Sequence, residues 1–164
     1  MAENDQSEVM DVHPRHRKCR VEIVPPPGIT AVLESQCYEL DPVLKPTDII
    51  SDKQRFRVTV RWCVEGDLRR HLCGTWCVTT AWESCGDFPE GHRTREIPFD
   101  PCGDGCYELD FDFEPGQLTA AECGVVYCFC VTLGSKVTCP DGQTYTGLIF
   151  GYCKDVCCIQ VRKG

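Results

Sequence analysis

Apolar and polar side chains alternate along most of the chain after Arg55. In "RFRVTVRWCV", Phe56, Val58, Val60, Trp62 and Val64 fall on one side, and Arg57, Thr59, Arg61 and Cys63 on the other. A period of two is that of an extended strand with one buried face. "LCGTWCVTTAW" repeats it, with Leu72, Trp76, Val78 and Trp82 in phase and Cys73, Thr75, Cys77 and Thr79 opposite. In "YELDFDFE", Tyr107, Leu109, Phe111 and Phe113 point inward while Glu108, Asp110, Asp112 and Glu114 point to solvent. "GVVYCFCVTL" aligns Val125, Tyr127, Phe129, Val131 and Leu133. "TGLIFGYCKDVCCIQV" reads as a hairpin turning at Lys154 and Asp155, with Leu148, Phe150, Tyr152, Cys157, Ile159 and Val161 inward.

Roughly seven to nine short strands between Gly, Pro and Asp turns, without an amphipathic helix, predict an all-β fold: an antiparallel β-sandwich of the immunoglobulin-like or jelly-roll kind. A barrel is the alternative. Before this region the pattern fails. Residues 1–20 are polar and charged, "RVEIV" reads as a short strand, and "PPPG" imposes an extended spacer. The expected division is an extended N-terminal arm over 1–40 and a disulfide-rich sandwich over 41–164, with the first regular strand near Arg55.

The chain has 164 residues, enough for one domain with its own core, and no apolar run of membrane-spanning length. A net charge of −8, with the one dense basic run at Arg15 to Arg20, argues against nucleic acid as a partner. Fifteen cysteines change the picture most. That density indicates a disulfide scaffold or thiolate metal sites. Disulfides persist in oxidising compartments, yet the N-terminal segment carries no apolar stretch of secretory-signal type. The expectation is an extracellular or surface-associated location.

If Phe129 faces the core, alternation turns Cys128 and Cys130 outward, and likewise Cys63, Cys73, Cys77, Cys153 and Cys158. Two cysteines at i and i+2 of one strand stand about 6.5 to 7 Å apart, so Cys128 and Cys130 are expected to bond to a neighbouring strand rather than to each other. Cys63, Cys77, Cys153 and Cys158 are the candidate partners. Cys85, Cys102, Cys106, Cys123 and Cys139 are expected to pin loops, and Cys157 completes the set of intrachain candidates. An odd total leaves one thiol over, for which Cys19 and then Cys37 are the expected links to another chain.

Chemical motifs are sparse. The C-x3-C pairs would gather on one face of a helix, but in a strand Cys73 and Cys77 stand about 13 Å apart. "DPCGDGCYELDF" echoes a calcium loop, but Phe111 takes the place of the bidentate acid. His71 and Cys73 are too far apart on a strand for a nucleophile pair, and no hydrolase or nucleotide-binding motif is present. No catalytic residue, metal ligand or cofactor is assigned, and the chain is expected not to be an enzyme. The reading is a structural subunit that assembles with itself, through the arm, into an extracellular filament, coat or surface layer. The alternatives are a monomeric disulfide-stabilised adhesion or binding module, and an intracellular metal-thiolate protein.

Overall fold

The computed structural model describes residues 17–23, 28–41, 45–138 and 141–164. They form eleven strands and no α-helix. In chain order these are β1 (Arg17–Lys18), β2 (Arg20–Ile23), β3 (Thr30–Glu39), β4 (Lys45–Pro46), β5 (Ile49–Ser51), β6 (Phe56–Glu65), β7 (Gly74–Ser84), β8 (Gly91–Pro98), β9 (Cys106–Phe113), β10 (Val125–Thr138) and β11 (Thr144–Arg162). One sheet has the order β1-β3-β6-β9 with β4 beside β3, and the other β2-β11-β10-β7-β8 with β5 beside β11. All pairings are antiparallel except that of β5 with β11. The fold is a β-sandwich.

The alternation read from β6, β7, β9 and β10 is the alternation found. Trp62, Trp76, Tyr127, Phe56, Phe113 and Phe129 are the largest fully buried side chains. Phe56 stacks on Phe113 with centroids 4.4 Å apart, and Trp62 meets Trp76 edge to face at 6.0 Å. The buried phenol of Tyr127 donates to the Thr119 carbonyl and accepts from the Thr119 N–H. A polar tip in the core is thereby satisfied.

Two expectations are corrected. The first sheet starts well before Arg55, because β3 runs in register with β6 from Thr30 opposite Glu65 to Glu39 opposite Phe56. Residues 30–39 therefore belong to the sandwich rather than to the arm; residues 1–16 lie outside the described residues. The hairpin at Lys154 and Asp155 does not form either. β11 continues as one strand of 19 residues. The register with β10 slips between Phe129 and Val131, and Asp155 absorbs the irregularity with φ of 52°. Gly151 and Cys153 consequently face the core, and Phe150 and Tyr152 face solvent at 44% and 40% exposure. Gly151 lets Leu33 pack closely there: a Cβ would stand 2.7 Å from Leu33 Cδ2, so that side chain would have to shift.

The acidic face of β9 is matched by β6. Arg57 lies opposite Asp112, Thr59 opposite Asp110 and Arg61 opposite Glu108. The Arg57 Nε donates to Asp112 at 2.6 Å, Thr59 Oγ1 to Asp110 at 2.7 Å, and Arg61 pairs with Glu108. The hydrogen bond from Arg57 holds the Asp112 carboxyl below its ordinary range. A lowered folded-state pKa contributes stability that is present above the unfolded value and lost as pH falls through the folded one. Because Asp112 is about half exposed, the effect is small. Asp112→Asn is expected to cost under about 1 kcal/mol near pH 7. The gap between variant and wild type should close below about pH 4, measured by urea midpoints across the acid range.

β9 is an edge strand, and its outward carbonyl row is capped from the other sheet. Arg93 on β8 donates to the Asp112 carbonyl and to Gln117 Oε1, and Arg95 donates to the Asp110 carbonyl at 3.0 Å. The Arg93 guanidinium also sits 4.5 Å from the centroid of Phe113. An open edge invites pairing with another chain, and covering it removes the template.

Candidate functional site

Sulfur distribution is what distinguishes this sandwich. Four bridges close among the described cysteines. Two are cross-strand pairs within a sheet: Cys63–Cys106 joins β6 to β9 and Cys128–Cys158 joins β10 to β11, each between directly opposed residues with Cα atoms 4.0 Å apart. The other two reach β11 from β3 and from the residue before β2. Cys37 on β3 bonds to Cys157 with Cα atoms 6.3 Å apart, tying one sheet to the other. Cys19, between β1 and β2, bonds to Cys153 at 4.7 Å.

Cys19 and Cys37 thus close within the chain instead of reaching another one. Cys37 is 3% exposed, as is Cys153, which was expected to face outward. The cause is the phase of β11: Val131 lies opposite Cys153, and opposed residues share a face. Cys63, Cys77, Cys128 and Cys130 are half-buried and Cys158 is exposed. The cross-strand staple expected for Cys128 forms with Cys158, whereas Cys130, opposite Ala81, stays a thiol. Cys73, Cys77, Cys85, Cys102 and Cys123 are also unbridged. The loop-pinning role expected for Cys85, Cys102 and Cys123 is therefore not seen, and Cys106 is held in a strand pair. Cys139 lies outside the described residues.

The calcium-like loop serves its own backbone. Asp100 Oδ1 accepts from the N–H groups of Cys102 and Gly103, both at 3.0 Å, and Asp104 Oδ1 accepts from Cys106. These are turn bonds of the kind Asp makes to residues two or three further on.

Four exposed thiols sort by position. β7 runs from just after Cys73 to just before Cys85, which sets these two roughly 35 to 40 Å apart along the strand. Cys102 belongs to the Cys73 end, since Phe99 N–H donates to the Gly74 carbonyl and Asp100 N–H to the Tyr107 hydroxyl. Cys123 belongs to the Cys85 end, since Cys85 N–H donates to the Val126 carbonyl. Among the described residues, each pole of the sandwich carries two exposed thiols. Cysteine spacing alone does not place the four, because poles are defined by strand direction.

The outer face of the second sheet holds a denser group. Cys128 lies between Cys158 on β11 and Glu83 on β7, and Cys130 follows two residues later on the same face. Asp155 enters from the irregular turn of β11. The sulfurs of Cys128 and Cys158 and a carboxylate oxygen of Asp155 all lie within 4.8 Å of one another. Burial pushes the Cys130 thiol above its ordinary range, and the negative charges of Glu83 and Asp155 add to it.

With this geometry in place, comparison with known proteins yields a fold and no lineage. No protein-family model matches the chain, and no curated protein does. Among solved structures, the C-terminal domain of Wzt superposes with a TM-score of 0.54 at 10% sequence identity, over 93% of this chain and 83% of that one. The likeness is one of fold. It supports the two-sheet architecture over nearly the whole length and carries no site residue across. No helix among the described residues is long and apolar enough to cross a membrane.

Proposed function

We propose that this chain is a non-catalytic structural subunit of an extracellular assembly, in which copies are linked end to end by disulfides between opposite poles of the sandwich. The observation that supports it is the placement of Cys73 and Cys102 at one end and of Cys85 and Cys123 at the other, all four exposed and unbridged. In an oxidising compartment exposed thiols of this kind form disulfides. A contact between two different surfaces does not close on itself unless the rotation happens to bring it round, so it propagates as a filament. The four internal bridges fit the same compartment. The linking residues differ from those expected from the sequence, because Cys19 and Cys37 are already committed inside the fold.

The test is electrophoresis of oxidised protein with and without reductant, joined to mass spectrometry of unreduced peptides. The expected result is a ladder that collapses to monomer on reduction, with peptides joining Cys73 or Cys102 to Cys85 or Cys123. A monomer under both conditions, with Cys85 linked to Cys123 inside one chain, overturns it. Phe150 and Tyr152, exposed side by side on the outer face of the second sheet, favour the binding-module alternative, which a monomeric mass by size exclusion would bring forward.

A further inference from the structure

The outer face of the second sheet carries another feature, away from the four cysteines at the poles and so independent of end-to-end linkage. On β11, Phe150 and Tyr152 stand on this face at 44% and 40% exposure, about 6.5 to 7 Å apart along the strand. Tyr152 begins a row of hydroxyl side chains across four strands, because it lies opposite Thr132, Thr132 opposite Thr79, and Thr79 opposite Thr94. Three inter-strand steps make that row roughly 14 Å long. Phe150 begins the next row, lying opposite Gly134, with Cys77 beyond it.

Gly134 points to a ligand. Glycine weakens the middle of a strand, and where it occurs there it marks a bulge, a bend, or a place where a ligand or another backbone comes close. Backbone conformation does not call for it, since Gly134 has no positive φ. The register irregularity between Gly134 and Lys136 puts its extra residues on β11, not on β10. Packing does not call for it either: a Cβ there would meet only the Cys77 carbonyl oxygen, at 3.8 Å. Nor does the opposing ring fold over it, since no atom of Phe150 comes within 4 Å of that Cβ position. What remains is an open trough with the sheet backbone as its floor, an aromatic pair beside it and a hydroxyl row along it.

We propose that this face binds a neutral polysaccharide. Phe150, Tyr152, Thr132, Thr79 and Thr94 carry no charge, and the charged residues flanking them in the sheet, Arg20 and Glu22 on β2 and Glu96 on β8, are of both signs. An ionic ligand therefore finds no net counter-charge here. An apolar protein anchor would cover the threonine hydroxyls without pairing them. A sugar ring matches both halves: its C–H face packs on an aromatic ring, and its hydroxyls exchange hydrogen bonds with threonine. Thr79 and Thr94 bond to each other at 2.8 Å, which uses one of their two O–H donors and leaves the other, with acceptor lone pairs, for the ligand. The missing side chain at Gly134 lets a ring settle against the sheet.

The experiment titrates the full oxidised chain with hexasaccharides of glucose, mannose, galactose and N-acetylglucosamine, and with a heparin hexasaccharide as the charged control, read by calorimetry and saturation-transfer NMR. The expected result is binding of at least one neutral probe and none of heparin. Phe150→Ala and Tyr152→Ala should each weaken it at least about tenfold. Gly134→Val should abolish binding by filling the trough while leaving the thermal midpoint unchanged or higher, because its Cβ has room and valine suits a strand. Should Gly134→Val fail to fold, the exposed pair Phe150→Ala/Tyr152→Ala carries the test. The disulfide ladder should form in every variant, so that loss of sugar binding and loss of linkage are read separately. The proposal is overturned if no neutral probe binds, or if binding is unchanged in Phe150→Ala/Tyr152→Ala. Self-association that Gly134→Val removes would make a second copy the occupant and overturn it equally.

Discussion

Replacing Cys37 and Cys157 together by alanine is expected to lower the unfolding free energy by about 3 to 5 kcal/mol. This bridge joins β3 to β11, one from each sheet, and closes a sequence separation of 120. In the chain-entropy account the penalty saved grows with the logarithm of the loop. The cross-strand bridge Cys128–Cys158 spans only 30. Because Cys19–Cys153 already holds these segments near each other, the loop that Cys37–Cys157 closes in the bridged chain is only about 22 residues, so on loop length alone the two pairs should cost nearly the same. Urea denaturation of oxidised Cys37→Ala/Cys157→Ala beside Cys128→Ala/Cys158→Ala measures both. A Cys37→Ala/Cys157→Ala midpoint unchanged from wild type would show that packing of the two sheets, rather than the covalent tie, holds them together.

The second large effect is expected at Trp62. Its side chain is 1% exposed, stacks on Tyr107 with centroids 5.3 Å apart and meets Trp76 edge to face. Trp62→Ala should cost about 3 to 5 kcal/mol through lost transfer energy and the cavity left behind. The indole N–H groups of Trp62 and Trp76 are buried with no acceptor among the described residues. The pair therefore stabilises by packing and not by hydrogen bonding, so Trp62→Phe should recover a substantial part of the loss. Trp82, only half-buried at the rim, should lose less on the same truncation. Near-UV circular dichroism with denaturant melts separates loss of stability from loss of fold.

The strands that could be read from the sequence are those whose alternation is undisturbed. β6, β9 and β10 each bury one face against a single layer, so period two survives in their residues. β3 escaped because its buried positions include Ser35 and Gln36. Ser35 Oγ donates to the Thr59 carbonyl at 2.9 Å, and Gln36 Oε1 accepts from the Tyr38 hydroxyl at 2.9 Å. Hydrogen bonding makes polar side chains tolerable inside, and polarity then no longer signals the outer face. β11 reads as a hairpin because Lys154-Asp155 has the composition of a turn, whereas pairing with β10 on both sides of the irregularity keeps it one strand. Cross-strand bridges were legible in kind, since directly opposed cysteines are the ones within reach. Cys37–Cys157 is not, because it depends on which strands face each other across the core, and Cys19–Cys153 is not, because no pattern in the sequence pairs β2 with β11.

The bond between Cys19 and Cys153 spans a sequence separation of 134. Tension entering near Arg17 and leaving at Gly164 would pass through that bond and then along the last residues, so nearly the whole sandwich would carry none of the load. In a string joined through the poles, by contrast, tension would enter at Cys73 or Cys102 and leave at Cys85 or Cys123, running along β7, which β8 and β10 would hold in shear.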